Sequence, residues 1–297
     1  MSKPRIGLYA DLWDTRADGK ASSWTGFKQM VQTAERVGFD VFAVADRLHI
    51  MGHGQWESTT MLSAIAAVTS KITVETAVTR SIYRNPTLVA KIADSIDEIS
   101  GGRLVLGLGT GANLGDNKEF GYPEDFRYSR FEEALQITHQ LLRTGKCDFH
   151  GRFYHADDCA LGPRGPRPEG PPILIAAKAP KMMRLAAQYA DIWNIPLFPA
   201  TPEEWKPHLD AMEEMCNAVG RDPATLEKTT IVITAMTKGV RHPADDLAEP
   251  LSGEPERVAE RIRRFYDAGF QEVILWPALS SAEAVEELAR VVELLHA

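Results

Sequence analysis

Apolar positions along the 297-residue chain switch repeatedly between two periods. Arg5 to Ala10 is a short apolar run that reads as a strand, and Trp24 to Val37 sets Phe27, Met30, Val31, Ala34 and Val37 along one helical face. Gly38 closes that helix, because glycine accepts the left-handed conformation that commonly ends one. Asp40 to Ala45 follows as a near-continuous apolar strand of the kind buried on both faces of a parallel sheet. The same rhythm predicts helix 59–69, strand 72–78, helix 86–99, strand 103–109 and helix 128–143. It continues through strand 172–177, helix 180–190, strand 191–195, helix 203–219, strand 229–236, helix 255–268, strand 271–276 and helix 281–296. Eight strand-helix pairs in alternation favour a closed parallel sheet, an α/β fold of the (β/α)8 TIM-barrel type, as a single domain over residues 1–297.

One stretch breaks the rhythm. Residues 144–171 carry Gly145, Gly151, Gly162, Gly165, Gly170 and Pro163, Pro166, Pro168, Pro171, and read as an insertion before the fifth strand. Cys147 to His150 and Phe153 to His155 are expected to pair as a small hairpin around Gly151-Arg152, with Pro163 to Pro171 extended.

Composition narrows the function classes. The chain has 33 Lys+Arg against 41 Asp+Glu, a net charge of −8, and no basic run, so it lacks the cationic stripe that nucleic acid requires. No signal peptide is readable at the N-terminus, and apolar runs end well short of a membrane span. Cys147, Cys159 and Cys216 are odd in number and lack C-x-x-C spacing, which suits a reducing compartment, so the expected location is cytoplasmic.

Parallel barrels bind ligands at the carboxyl ends of their strands, which directs the search to the loops there. Those loops hold Asp11 and Trp13, then Asp46, Arg47, His49 and His53, then Thr79 and Arg80, then Thr110 and Asn113, with Lys178, Asn194 and Trp276 later. Gly107-Leu108-Gly109-Thr110-Gly111-Ala112 has Ala where a dinucleotide fingerprint needs its last Gly, and no helix opens there. Its glycines instead let a ligand or a neighbouring strand approach the backbone closely. His49 and His53 are four apart, but Gly52 and Gly54 oppose a helix, and without H-E-x-x-H or a thiolate cluster no metal is expected. Ala177-Lys178-Ala179-Pro180 leads into a helix whose first turn, with Lys178 and Lys181 beside it, is a candidate phosphate site. Arg130, in the first turn of the helix over 128–143, is a further candidate for the same anion.

These residues also carry a resemblance. Ala34-Glu35-Arg36-Val37-Gly38-Phe39-Asp40, Ala45-Asp46, Tyr83-Arg84-Asn85-Pro86, Ile96-Asp97-Glu98 and Ser100-Gly101-Gly102-Arg103-Leu104 through Gly107-Leu108-Gly109 match in order. Phe120-Gly121-Tyr122-Pro123, Arg130-Phe131-Glu132-Glu133 and Ala190-Asp191-Ile192-Trp193-Asn194 extend the match over nearly the whole chain. Together they resemble the luciferase-like monooxygenases, the superfamily of bacterial luciferase and the coenzyme F420-dependent oxidoreductases.

The resemblance implies a barrel with a reduced flavin or deazaflavin at its carboxyl-end face, and a non-proline cis peptide at Ala77-Val78 under the ring. It maps the phosphate contacts onto Thr110, Ala112, Arg130, Ala177 and Lys178; with Ala77 and Val78 under the ring, and Asp46, Thr79, Asn113 and Ala179 from the strand ends and helix start, these are the candidate cofactor residues. Many relatives carry His directly after the acidic residue of the second strand, whereas this chain reads Asp46-Arg47, a permanent cation instead of a titrating one. His49, Arg47 and Asp46 are therefore the candidates for proton and charge management. The implied activity is a monooxygenase using reduced FMN and O2 on a small organic substrate, held near Trp13, Trp56 and Trp276, with FMN reduced by a separate reductase. The alternatives are F420-dependent hydride transfer and a non-catalytic flavin-binding protein; a homodimer is compatible with either.

Overall fold

The computed structural model describes residues 4–12, 23–50, 53–111, 116–195, 201–236 and 248–297. Trp13, Ala112 and Asn113 lie outside the described residues, as does the side chain of His53. The alternation closes as a (β/α)8 barrel. Its strands are β1 (Arg5–Ala10), β2 (Val41–Val44), β3 (Thr73–Thr76, resuming at Thr79–Arg80) and β4 (Leu104–Gly109). β5 (Ile173–Ala176), β6 (Ile192–Asn194), β7 (Glu227–Thr234) and β8 (Glu272–Pro277) complete the ring. All neighbours pair in parallel, and β8 meets β1 through Arg5↔Glu272, which seals the sheet.

The helices are α1 (Trp24–Val37), α2 (Ser58–Val68), α3 (Pro86–Ser100), α4 (Arg127–Thr144), α5 (Pro180–Tyr189), α6 (Lys206–Ala218), α7 (Pro255–Asp267) and α8 (Ala282–Glu287 continued by Ala289–His296). The main core lies between this ring and the barrel, where Met30, Phe42, Phe131, Ile262 and Phe265 are fully buried. Helix ends follow their sequence signals. Ser23 accepts the Gly26 amide at 3.2 Å to start α1, and Gly38 ends it in the left-handed conformation with φ 105°. The helix expected over 203–219 begins as a 3-10 turn, Pro202–Trp205, because Pro207 has no N–H to give the preceding turn.

The insertion does fold back as a hairpin, but as Lys146–His150 against His155–Ala160. Residues 151–154 form its turn instead of its second strand, since the Glu133 carboxylate gathers the amides of Arg152, Phe153 and Tyr154 at 2.8–3.0 Å. A second small hairpin, His49–Ile50 with His53–Gly54, occupies the loop after β2, where the sequence offered only a loop. Among the described residues no helix is long and apolar enough to cross a membrane.

Alternating residues of each strand fill the barrel interior. Tyr9, Ala43, Ala45, Ile231, Ile233, Ile274 and Trp276 pack there as an apolar cluster. Below them Glu75 is fully buried with both carboxylate oxygens unpartnered, near Glu272, which accepts from Arg5 at 2.9 Å and Thr229 at 3.2 Å. Burial, reinforced by the Glu272 charge, pushes the Glu75 carboxyl well above its ordinary 4.5. The folded chain thus keeps a proton that the unfolded chain releases above about pH 4.5, so this group makes stability fall as pH rises from there towards its folded value. The Glu75→Gln variant should lose that slope. Thermal midpoints of both proteins across pH 5–8 test it; parallel curves would show that Glu75 does not titrate in this way.

Candidate active site

The carboxyl-end mouth of the barrel holds a cavity of about 350 Å³, within the roughly 300–1,000 Å³ of small-molecule sites. Its wall runs from Tyr9 through Ala45-Asp46-Arg47, Ala77-Val78, Arg80, Gly109-Thr110-Gly111 and Ala176 to Asn194, Ile195 and Ile231. β3 makes this space possible. After Thr76 its pairing stops, the Ala77–Val78 peptide is cis, and the strand resumes at Thr79 and Arg80 against Leu108 and Gly109 of β4. Ala77 and Val78 face the cavity, whereas Thr79 points behind the strand, into the space between α2 and α3. A side chain at Gly107 would meet the Thr76 carbonyl oxygen at 1.8 Å, and one at Gly109 would meet Val78 at 2.6 Å. The glycines of β4 therefore give room to the β3 wall.

Asp46 is saturated with hydrogen bonds. Its Oδ1 accepts from Ser58 at 2.6 Å and Arg84 at 3.0 Å; its Oδ2 accepts from Arg84 at 2.7 Å and from the Arg80 amide at 2.9 Å. A carboxylate so occupied is an anchor, and no lone pair is directed at the cavity for proton transfer. Among the described residues the cations facing the cavity are Arg47 and Arg80. Arg80 Nη1 donates to the Tyr83 hydroxyl at 2.6 Å, and Arg47 stands 3.9 Å from Asp11. Burial raises the Tyr9 phenol, which hydrogen-bonds Asp11, so it stays protonated and stacks edge-on against Trp276 at 5.1 Å. His49 is turned to the rim, where its Nδ1 lies 3.1 Å from Glu119, and is not part of the wall. Trp56 is exposed and also outside the wall.

A second, open space adjoins the first through Thr110, which lines both. This groove of about 590 Å³ is walled by Arg127, Tyr128 and the start of α5 from Ala179 to Met182. Ala179 caps α5 without a side-chain bond, so the helix's first amides remain available to an anion. Arg127 has a buried Nε with no partner among the described residues, while its Nη2 donates to the Gly111 carbonyl. Lys181 Nζ lies 5.6 Å above the Tyr128 ring. The expected Arg130 is instead paired with Asp125 at 3.1 Å and stacked 4.4 Å above Phe153. The two arginines are neighbours on one face of α4, which starts at Arg127, one residue before the sequence suggested; Arg127 lines the groove and Arg130 does not. Lys178 is exposed and lines neither space; it lies towards His208 of α6. Ala177 is buried, its carbonyl taken by Trp193 Nε1 at 2.8 Å.

The model of the luciferase-like monooxygenases matches residues 7–249. The chain belongs to that family. A pyrimidine monooxygenase RutA of Escherichia coli O7:K1 is 32% identical over 232 residues, covering 73% of this chain and 68% of the relative. The RutA of Bradyrhizobium sp. (strain BTAi1) is 34% identical over 213 residues, 66% of this chain and 57% of the relative, so the chain spans little more than half of that protein. The fold is shared with an F420-dependent secondary alcohol dehydrogenase, TM-score 0.81 at 20% identity, covering 99% of both chains. It is shared equally with the long-chain alkane monooxygenase LadA, TM-score 0.81 at 15% identity, covering all of this chain and 92% of the other.

Luciferase-like proteins are oxidoreductases, monooxygenases among them, that work with a reduced flavin or deazaflavin. The residues here fit such a group. A ring-sized cavity opens into an anion groove, and the buried Arg127 Nε lacks a partner that a phosphate oxygen would supply. Sequence reasoning missed Arg127 because Arg127 and Arg130, three residues apart, share one helix face, and only the partners of Arg130, Asp125 and Phe153, tell them apart. It also missed Tyr9 as a wall residue, a polar group near the end of β1, whereas Arg80, counted among the strand-end candidates, does line the wall.

Proposed function

We propose that this chain is an FMN-dependent monooxygenase acting on a small nitrogen heterocycle of the pyrimidine type. The observation that carries the reading is the continuity, at Thr110, of an apolar-floored cavity with a cationic groove, the shape of a planar ring on an anionic tail. The pyrimidine class is supported by the two RutA relatives and by the wall itself. Two guanidiniums offer donors and the Asn194 side chain an amide oxygen, the complement that a ring of carbonyls and N–H groups would need.

Reduced FMN, when bound, supplies the electrons for O2, so that one oxygen atom enters the substrate and the other leaves as water. The chain's own groups bind and orient. Arg127, Lys181 and the first amides of α5 hold the phosphate by charge and dipole together. Arg47 and Arg80 bring positive charge to the cavity that would take the ring and substrate. Tyr9 donates its hydroxyl proton in a hydrogen bond without releasing it, and Trp276 with Ile231 and Ile233 shuts water out from below. With no nicotinamide fingerprint in the sequence, FMN is reduced elsewhere, by a separate reductase. Titrating the apoprotein with FMN and with F420, then supplying reduced FMN, O2 and uracil, tests the proposal. Tight FMN binding and uracil consumption are expected; tight binding of F420 alone would overturn it in favour of hydride transfer.

A further inference from the structure

Arg84 is not part of the cavity wall, yet the side-chain tie that holds one side of that wall runs through it. The β2–β3 ladder ends at Val44↔Thr76, with a last bond from the Ala77 amide to the Val44 carbonyl at 2.9 Å. Beyond it, Thr79 and Arg80 pair only with β4. The Arg80 amide therefore faces the β2 side after that strand's main chain has run out of acceptors, and Asp46 Oδ2 takes its place at 2.9 Å. A side-chain acceptor on rotatable bonds holds the backbone only as firmly as the carboxylate itself is held.

Arg84 supplies that hold. Its Nη1 and Nη2 grip the two Asp46 oxygens in parallel at 2.7 and 3.0 Å, the forked geometry that fixes a carboxylate in plane. Arg84 is in turn fixed twice over. It pairs with Glu57, the N-cap of α2, which also takes the Thr59 and Thr60 amides at 3.1 and 2.7 Å. It directly precedes Asn85, the N-cap of α3, whose Pro86 stiffens the entry to the helix. Hydrogen bonds from Thr60 and Arg84 outweigh the burial that would raise Glu57 and bring its carboxyl down to about 2. Two helix starts thus converge on one guanidinium, and that guanidinium on the acceptor that anchors Arg80.

We propose that Arg84 is a positioning residue for the reaction: acting through Asp46, it fixes the Val78-to-Arg80 wall on which the flavin ring rests and from which the Arg80 guanidinium faces the cavity. The idea rests on the flavin reading above for its consequence, though not for its geometry.

Two readouts in Arg84→Met and Arg84→Lys test it. In the apoprotein, amide hydrogen exchange of peptides spanning residues 77–83 should accelerate about tenfold or more, with peptides of β6 to β8 unchanged. In titrations, riboflavin, which lacks the phosphate, should bind about tenfold more weakly, and FMN should lose the same factor because the groove is untouched. Lysine offers one donor direction in place of a fork, so Arg84→Lys should fall between wild type and Arg84→Met. If Arg84→Met does not fold, Arg84→Lys is read alone by the same two measures. A merely structural ion pair would speed exchange throughout the barrel, or leave riboflavin affinity intact in folded protein; either result overturns the proposal, as does a loss confined to FMN. Should wild-type protein bind neither flavin, the functional reading fails, while the exchange data still decide whether Arg84 tethers the wall.

Discussion

The Gly107→Ala variant is expected to lose about 3 kcal/mol or more of stability, the upper end of what an added methyl costs in a packed interior. The added carbon would stand 1.8 Å from the Thr76 carbonyl oxygen and 3.0 Å from Val78 Cγ1. The nearer obstacle is main chain, which cannot swing aside as a side chain can. The Thr76 hydroxyl is bound on both sides, donating to the Gly107 carbonyl and accepting from its amide, each at 2.9 Å, so the two strands cannot part without breaking both bonds. The displaced segment is the one that turns from Thr76 into Ala77 and Val78 on the cavity wall, so ligand binding should fall along with stability. A thermal midpoint lowered by roughly 6–12 °C is the expected reading. The control is Gly54→Ala, where an added methyl meets nothing within 4 Å and should change stability by no more than about 0.5 kcal/mol. If the two variants unfolded at the same temperature, the tight approach of β3 and β4 would be an error in the account of the wall.

The same pair of strands shows what the sequence reveals and where it stops. Alternation of periods was enough to place β1, α1 and its Gly38 cap, because a strand buried on both faces and a helix buried on one leave different apolar spacings. The glycines of β4 were legible as a close approach. What approaches was not, since Thr76 and Val78 come from a neighbouring strand and register is a three-dimensional fact. Asp46 was legible as a functional acid by its place after β2, yet its role as an anchor depends on Arg84, Ser58 and the Arg80 amide, 12 to 38 residues away. Thr79 was assigned to the cofactor from its position at a strand end, and the break at Ala77–Val78 turns it to the other face. His49 was drawn in as a substitute for a missing histidine, and a small hairpin carries it out to Glu119.

Arg127 decides the tail of the proposed cofactor. The Arg127→Met variant should weaken FMN binding by about 10–100-fold, the worth of one charge-assisted pair of hydrogen bonds at roughly 1.5–3 kcal/mol. Riboflavin binding should stay unchanged, because the groove from Thr110 to Met182 adjoins the ring cavity without forming its floor. Geometry favours Arg127 over Arg130. Arg130 already has a carboxylate partner in Asp125 and an aromatic face in Phe153, while Arg127 keeps a buried Nε that no other described residue satisfies. A buried donor without an acceptor is unfavourable, and an anion at the start of α5 removes that cost. Wild-type FMN affinity should fall with added salt, and the Arg127→Met variant should show a shallower dependence, since one of the charges that attract the phosphate is gone. Fluorescence titrations of FMN and riboflavin against wild type, Arg127→Met and Arg130→Met distinguish the two assignments. If Arg130→Met loses the phosphate contribution and Arg127→Met keeps it, the tail lies on the hairpin side of α4, and the groove beside α5 has another use.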